Sequence, residues 1–139
     1  MSVESHKAIV RRYCEDLFSG GQLNVADEIL SDDFVFNGPF GAIHSRAEFK
    51  QFAAMMHVAF NHFRMAVDVS IAEGDCVASR FTMYGTHHGN YHGVPATGHT
   101  IAVPGINIFR FKNERIVEVG AVIDSLKMMT QLGVVETGA

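Results

Sequence analysis

From Phe63 to Ile123 the chain alternates apolar and polar residues with a period of two, interrupted only by turn signals and one Gly/His/Pro stretch. A helix cannot gather such a pattern onto one face, whereas a strand does so automatically. This half of the chain must therefore form a sheet. The interruptions divide it into strands over 63–72, 77–85, 100–111 and 115–123. Glu73-Gly74-Asp75 and Lys112-Asn113-Glu114 read as tight turns, and residues 86–98 as a loop.

The first half has the other period. Ala8, Ile9, Tyr13, Leu17 and Phe18 recur at helical spacing within residues 4–19, with Ser5 as the expected cap and Gly20-Gly21 as the stop. Asn24 is placed to cap a short helix over 25–30, ended by Ser31-Asp32-Asp33. Phe34, Val35 and Phe36 read as a short strand, and Ser45 starts a third helix over about 46–60. A last helix over 125–132 closes on Gly133. Helices first and hairpins after give an α+β fold, with a curved antiparallel sheet wrapped on three N-terminal helices. That arrangement encloses a cone-shaped pocket suited to a small molecule. With no repeat or linker, residues 1–139 form a single domain.

Charge is scarce: 19% of residues are charged and 47% are apolar, which excludes a disordered chain. The formal net charge is −4 and no basic block occurs, so nucleic acid is not an expected partner. No apolar run approaches the ~18–20 residues of a membrane span. The opening MSVESHKAIVRRYCEDLF mixes charges among its apolar residues, unlike a signal peptide. A cytoplasmic location, with Cys14 and Cys76 as free thiols, is the expectation.

A few polar residues stand among the apolar strands. Asp124 ends the last strand where a helix begins. The commoner reading is an N-cap, which is fully sufficient for such a residue; the sharper one is a partly desolvated general acid/base on a pocket floor. Asn107, inside GINIFRF, is either a satisfied core amide or the group that holds a substrate carbonyl or enolate oxygen. Arg80 reads as a strand-face cation. His87, His88, His92 and His99 crowd the loop, but their spacing matches no short zinc pattern and no acidic residue falls between them. No metal is expected there. Tyr13, Phe34, Met55, Met56, Met83, His87 and Phe109 would shape an apolar pocket. Apolar residues on both faces of IAVPGINIF and IVEVGAVI predict a covered outer sheet face, hence a homodimer or higher homo-oligomer.

The segments KAIVRRYCEDLFSGGQLNVADEILSDDFVFNGP, YGTHHGNYHGVPATGHTI and IVEVGAVIDSLKMMTQLG occur in that order. They resemble the SnoaL-like polyketide cyclase or ester cyclase group of the nuclear-transport-factor-2-like superfamily, over about residues 6–133. The resemblance implies a cofactor-independent and metal-independent enzyme acting on an apolar carbonyl compound. In such cyclases an Asp at the position of Asp124 removes a proton next to a carbonyl, and the enolate closes a ring by aldol attack. A polar residue near Asn107 accompanies it. Gly120 stands where the group usually has Trp, which implies an enlarged or reshaped pocket with Gly120 at its wall. Ketosteroid-isomerase-like or epoxide-hydrolase-like chemistry would suit the same cone. The latter wants a second carboxylate, for which Asp68 or Glu118 would have to face inward. A non-catalytic small-molecule-binding or dimerisation module of this fold is the remaining alternative.

Overall fold

The computed structural model describes residues 2–135. Helix α1 spans Val3–Arg11 and continues into a π-helical segment, Arg12–Ser19. Helix α2 (Val25–Ile29) leads into strands β1 (Leu30–Gly38) and β2 (Gly41–Ile43), followed by α3 (Arg46–Ala59). Strands β3 (Phe60–Glu73), β4 (Cys76–His87), β5 (Thr100–Lys112) and β6 (Arg115–Ile123) form the body of the sheet, and α4 (Ser125–Leu132) closes the chain.

The six strands lie in the order β2-β1-β6-β5-β4-β3. Four of the five pairings are antiparallel, as the alternation predicts. The fifth is not: β1 runs parallel to β6, with Phe36 beside Val119 and Asn37 beside Gly120. The sheet is therefore mixed rather than purely antiparallel. The reason is connectivity, since α3 carries the chain from one edge of the sheet to the other, where β3 begins. Only then does the hairpin meander start.

Local chemistry moved several boundaries. Helix α1 begins at Val3 because Ser2, not Ser5, is its cap. The Ser2 hydroxyl accepts the Ser5 N–H at 3.1 Å, and the Ser5 hydroxyl accepts the Ser2 N–H at 3.3 Å. The predicted single helix is α-helical only to Arg11. Beyond it the turns widen, ending with the Gly20 N–H on the Glu15 carbonyl, five residues back, at 2.8 Å. The Phe18 carbonyl takes its hydrogen bond from His57 Nε2–H on α3. Asn24 precedes α2 but makes no side-chain cap.

The central strand β5 divides cleanly between two faces. Along β5, Ile101, Val103, Gly105, Asn107, Phe109 and Phe111 are buried, whereas Ala102, Ile106, Ile108 and Arg110 are exposed. The buried set meets the helices through interlocked rings, with Tyr13 edge-on to Phe109 at 4.9 Å and Phe18 edge-on to Phe49 at 5.6 Å. Gly105 is required on this face, because a Cβ there would meet the Phe81 ring and approach the Val122 carbonyl oxygen to 2.8 Å.

β5 outruns β6, whose last partner is Gly105. The bare edge is covered by α4. Gln131 offers its amide as a strand would, accepting the Ala102 N–H at 2.7 Å and donating to the Ala102 carbonyl at 3.0 Å. The Asp124 N–H donates to the Pro104 carbonyl at 3.0 Å. Backbone groups that would otherwise lie unpaired are thus satisfied. Among the described residues, no helix is long and apolar enough to cross a membrane.

One core residue breaks the usual accounting. His6, only 4% exposed, stacks on Phe111 with centroids 4.2 Å apart. Neither ring nitrogen has a partner among the described residues. A buried polar group left unsatisfied costs about 1–3 kcal/mol. His6→Phe keeps the stack and removes both orphan nitrogens. We expect it to raise stability by about 1 kcal/mol, equivalent to roughly 3 °C in Tm for a domain of this size. A thermal melt showing no rise, or a fall, contradicts this account of the position.

Candidate functional site

Between the concave face of the sheet and the helices lies a cavity of about 180 Å³. Strand residues from all six strands line it: Phe36 on β1, Ala42 and Ile43 on β2, Met65 on β3, Phe81 and Met83 on β4, Asn107 on β5, and Ala121 and Ile123 on β6. Tyr13 and Phe18 of the π-helical segment and Phe52 and Met56 of α3 form the opposite wall. The widened helix matters here. The irregular turn carries Tyr13 and Phe18 onto one surface, and such insertions frequently shape sites.

The mouth is made by two turns. The β1–β2 connection supplies Pro39 and Phe40, and the loop after β4 supplies Tyr91 and His92. Phe40 stacks on the His92 imidazole with centroids 3.6 Å apart and planes 15° apart. The loop is pinned at both ends. His88 and Gly89 N–H donate to the Ala59 carbonyl at 2.9 and 3.1 Å, and the His87 and His99 backbones pair across its base. His87 itself is a loop anchor: its Nδ1 accepts the Thr97 N–H at 3.2 Å.

The lining is almost wholly apolar. Among the described residues it contains no Asp, Glu, Lys or Arg. Tyr13 is buried, and burial first, then the neighbouring Cys14 thiol, pushes its phenol well above the ordinary tyrosine range. Burial likewise pushes Tyr91 up to about 12. Both are therefore neutral donors. Desolvation pulls His92 below the usual histidine value, favouring the neutral ring. Asn107 is 2% exposed and its Nδ2 has no partner among the described residues. Its cross-strand neighbours are Ser79 and Ala121, both small, and the residue lines the cavity.

The structure brings together Tyr13, Met56, Met83 and Asn107 of the residues expected at the pocket, and leaves six out of its lining. Phe34 and Phe109 are fully buried core, packed on Phe49 and Tyr13 respectively, and His87 is buried in the loop base beside Phe60. Met55 is part-buried on α3, beside the lining Met56. Gly120 pairs with Ile108 on the convex face, and a Cβ there would meet nothing within 4 Å. The absent indole therefore alters the outer face, not the cavity wall. Strand parity is the cause, since buried Val119 and cavity-lining Ala121 flank Gly120.

Asp124 follows the same parity. It is exposed, its carboxylate accepts the Lys127 N–H at 3.0 Å, and it borders a shallow convex-face groove with Arg80, Ile106 and Val122. Asp68 accepts from the Thr82 hydroxyl at 2.8 Å, and Glu118 pairs with Arg110 at 3.1 Å, both on the outside. Among the described residues, no group of three or more His, Cys, Asp or Glu is placed to hold a metal ion.

Sequence reasoning missed the mouth. The available signal was an aromatic residue set between turn formers, Gly38-Pro39-Phe40-Gly41 and Gly89-Asn90-Tyr91-His92-Gly93. Large rings in turns are uncommon and mark loops that can carry a site.

Comparison with known proteins agrees with this architecture. TsrD from Streptomyces laurentii superposes with a TM-score of 0.89 over 97% of this chain and 99% of its own, at 19% identity. A candidate SnoaL-like polyketide cyclase from Jannaschia sp. CCS1 gives 0.87 over 95% and 94%, at 21% identity. IdmH, a candidate polyketide cyclase from Streptomyces antibioticus, gives 0.81 over 92% and 98%, at 27% identity. A search of curated proteins finds no match. The family model for SnoaL-like polyketide cyclase matches residues 8–132. The chain belongs to the SnoaL-like polyketide cyclase family.

Proposed function

We propose that the cavity binds a compact, largely apolar ketone whose oxygen rests on the Asn107 amide, and that the protein carries out enolate chemistry on it without a cofactor. The observation that carries this reading is Asn107, which lines an otherwise apolar cavity and whose Nδ2 has no partner among the described residues. A folded protein rarely leaves a buried donor orphaned, and a ligand acceptor is the natural remedy. An oxygen that gains negative charge as an enolate strengthens that hydrogen bond, so the amide favours the reactive state over the ground state. The buried Tyr13 phenol, a neutral donor, lines the same cavity.

The test pairs 2-tetralone with its hydrocarbon analogue tetralin. A net hydrogen bond is worth about 0.5–1.5 kcal/mol, up to roughly tenfold in affinity. Wild type is expected to prefer the ketone by about that factor in calorimetric titration. Asn107→Leu should erase the preference while raising Tm, because it removes an unsatisfied buried amide. Equal affinity for both compounds in wild type, or a preference that survives in Asn107→Leu, contradicts the reading.

We also propose that the convex face joins two copies of this chain. Val69, Ile71, Ile106, Ile108 and Val122 are each about half exposed or more on that face. Arg80 and Asp124 border the same groove, and neither has an ion-pair partner among the described residues. A two-fold axis through the groove would set each Arg80 toward the other copy's Asp124. Sedimentation should show a dimer that Ile108→Lys with Val122→Lys converts to monomer. A wild-type protein sedimenting only as 15.3 kDa particles would refute the proposal.

A further inference from the structure

Enolate chemistry needs a group that takes a proton as well as one that holds the oxygen. No carboxylate or amine lines the cavity among the described residues, and the two phenols are held protonated by burial. One imidazole remains, at the mouth. Resting on the ketone reading above, we infer that His92 is the residue that removes and returns the proton in this cavity.

Its backbone supports a role beyond turn-making. The Tyr91 N–H donates to the Val94 carbonyl and the Val94 N–H to the Tyr91 carbonyl, both at 2.9 Å, closing a two-residue turn. His92 and Gly93 occupy the centre with φ of +46° and +87°, the signs of a type I′ turn. Asn or Gly is the ordinary first central residue, so histidine adopts a left-handed conformation at some cost. In return the ring lies against Phe40 at 3.6 Å and edge-on to Tyr91 at 4.5 Å, at the cavity lining. Stacking on Phe40 orients its plane while the residue stays exposed at the mouth, and partial desolvation shifts it toward the neutral, proton-accepting ring.

The step balances with no further reactant. With the ketone oxygen on Asn107, a ring nitrogen of His92 takes the proton from the adjacent carbon. The C–H electron pair becomes the new C=C bond and the carbonyl pair moves onto oxygen, giving enolate and imidazolium. Return of the proton to carbon, or to the alkoxide formed after aldol attack, restores neutral His92.

Deuterium uptake next to the carbonyl of 2-tetralone in D₂O, followed by NMR, tests the inference without a natural substrate. Wild type should accelerate uptake over buffer. His92→Gly, which suits the left-handed backbone, and His92→Phe, which keeps a ring on Phe40, should each lose about a hundredfold or more. Added imidazole should restore the rate in His92→Gly and not in His92→Phe, where the space is filled. Uptake at the wild-type rate in either variant overturns the inference. So does loss of uptake in Asp124→Asn with His92 intact, which assigns the proton to that carboxylate. Calorimetric binding in the same samples separates the two levels of the argument. Ketone bound by wild type but not exchanged overturns the role of His92, whereas ketone not bound overturns the cavity reading and this inference with it.

Discussion

The register of β5 governs the rest of the molecule. It is thirteen residues long and hydrogen-bonded on both sides, to β4 along nearly all of its length and to β6 from Gly105 onward. Because strand side chains alternate strictly, a slip of one residue would exchange every inward group for its outward neighbour. Asn107 would leave the cavity and Ile106 or Ile108 would enter it. Two features hold the strand in place. Gly105 admits the Phe81 ring where no side chain fits, and Gln131 clasps both backbone groups of Ala102.

That register divides an apolar chain into two uses of its apolar residues. Inward, rings from the π-helical segment, β1 and α3 interlock, and Met56, Met65, Met83 and Ala121 are among the smaller or more flexible residues that line the cavity. Methionine suits such a wall because its unbranched chain adapts to what it meets. Outward, valines and isoleucines stay half exposed. The buried amide of Asn107 runs against the packing of the interior. An unpartnered donor costs about 1–3 kcal/mol, a cost that a ligand oxygen would offset. Stability and binding are thereby opposed at one side chain.

Much of the fold was legible in the sequence because it rests on local periodicity. The four body strands, α3 and α4 fall close to where alternation and capping put them. The parallel β1–β6 pairing was not legible, since it joins segments about eighty residues apart and leaves no local mark. Asn107 was legible as a polar residue inside an apolar strand. Asp124 and Gly120 show the limit of that signal. Their types drew attention, yet the face they occupy follows from counting outward from buried Val119, and both fall on the convex side. The Phe40–His92 mouth was hidden for a different reason. It is a contact between two loops, and loops carry no periodicity from which a meeting could be read.

The central claim is that a ketone sits inside the cone. Labelling the methionine methyl groups with carbon-13 and measuring nuclear Overhauser contacts to bound 2-tetralone tests it directly. The cavity reading predicts contacts from the ketone ring protons to the Met56, Met65 and Met83 methyls and none to Met128 or Met129, which lie outside the lining. Contacts absent from those three, with the ketone instead touching the Ile106 and Val122 methyls on the convex face in a sample labelled at isoleucine and valine methyls, would contradict it.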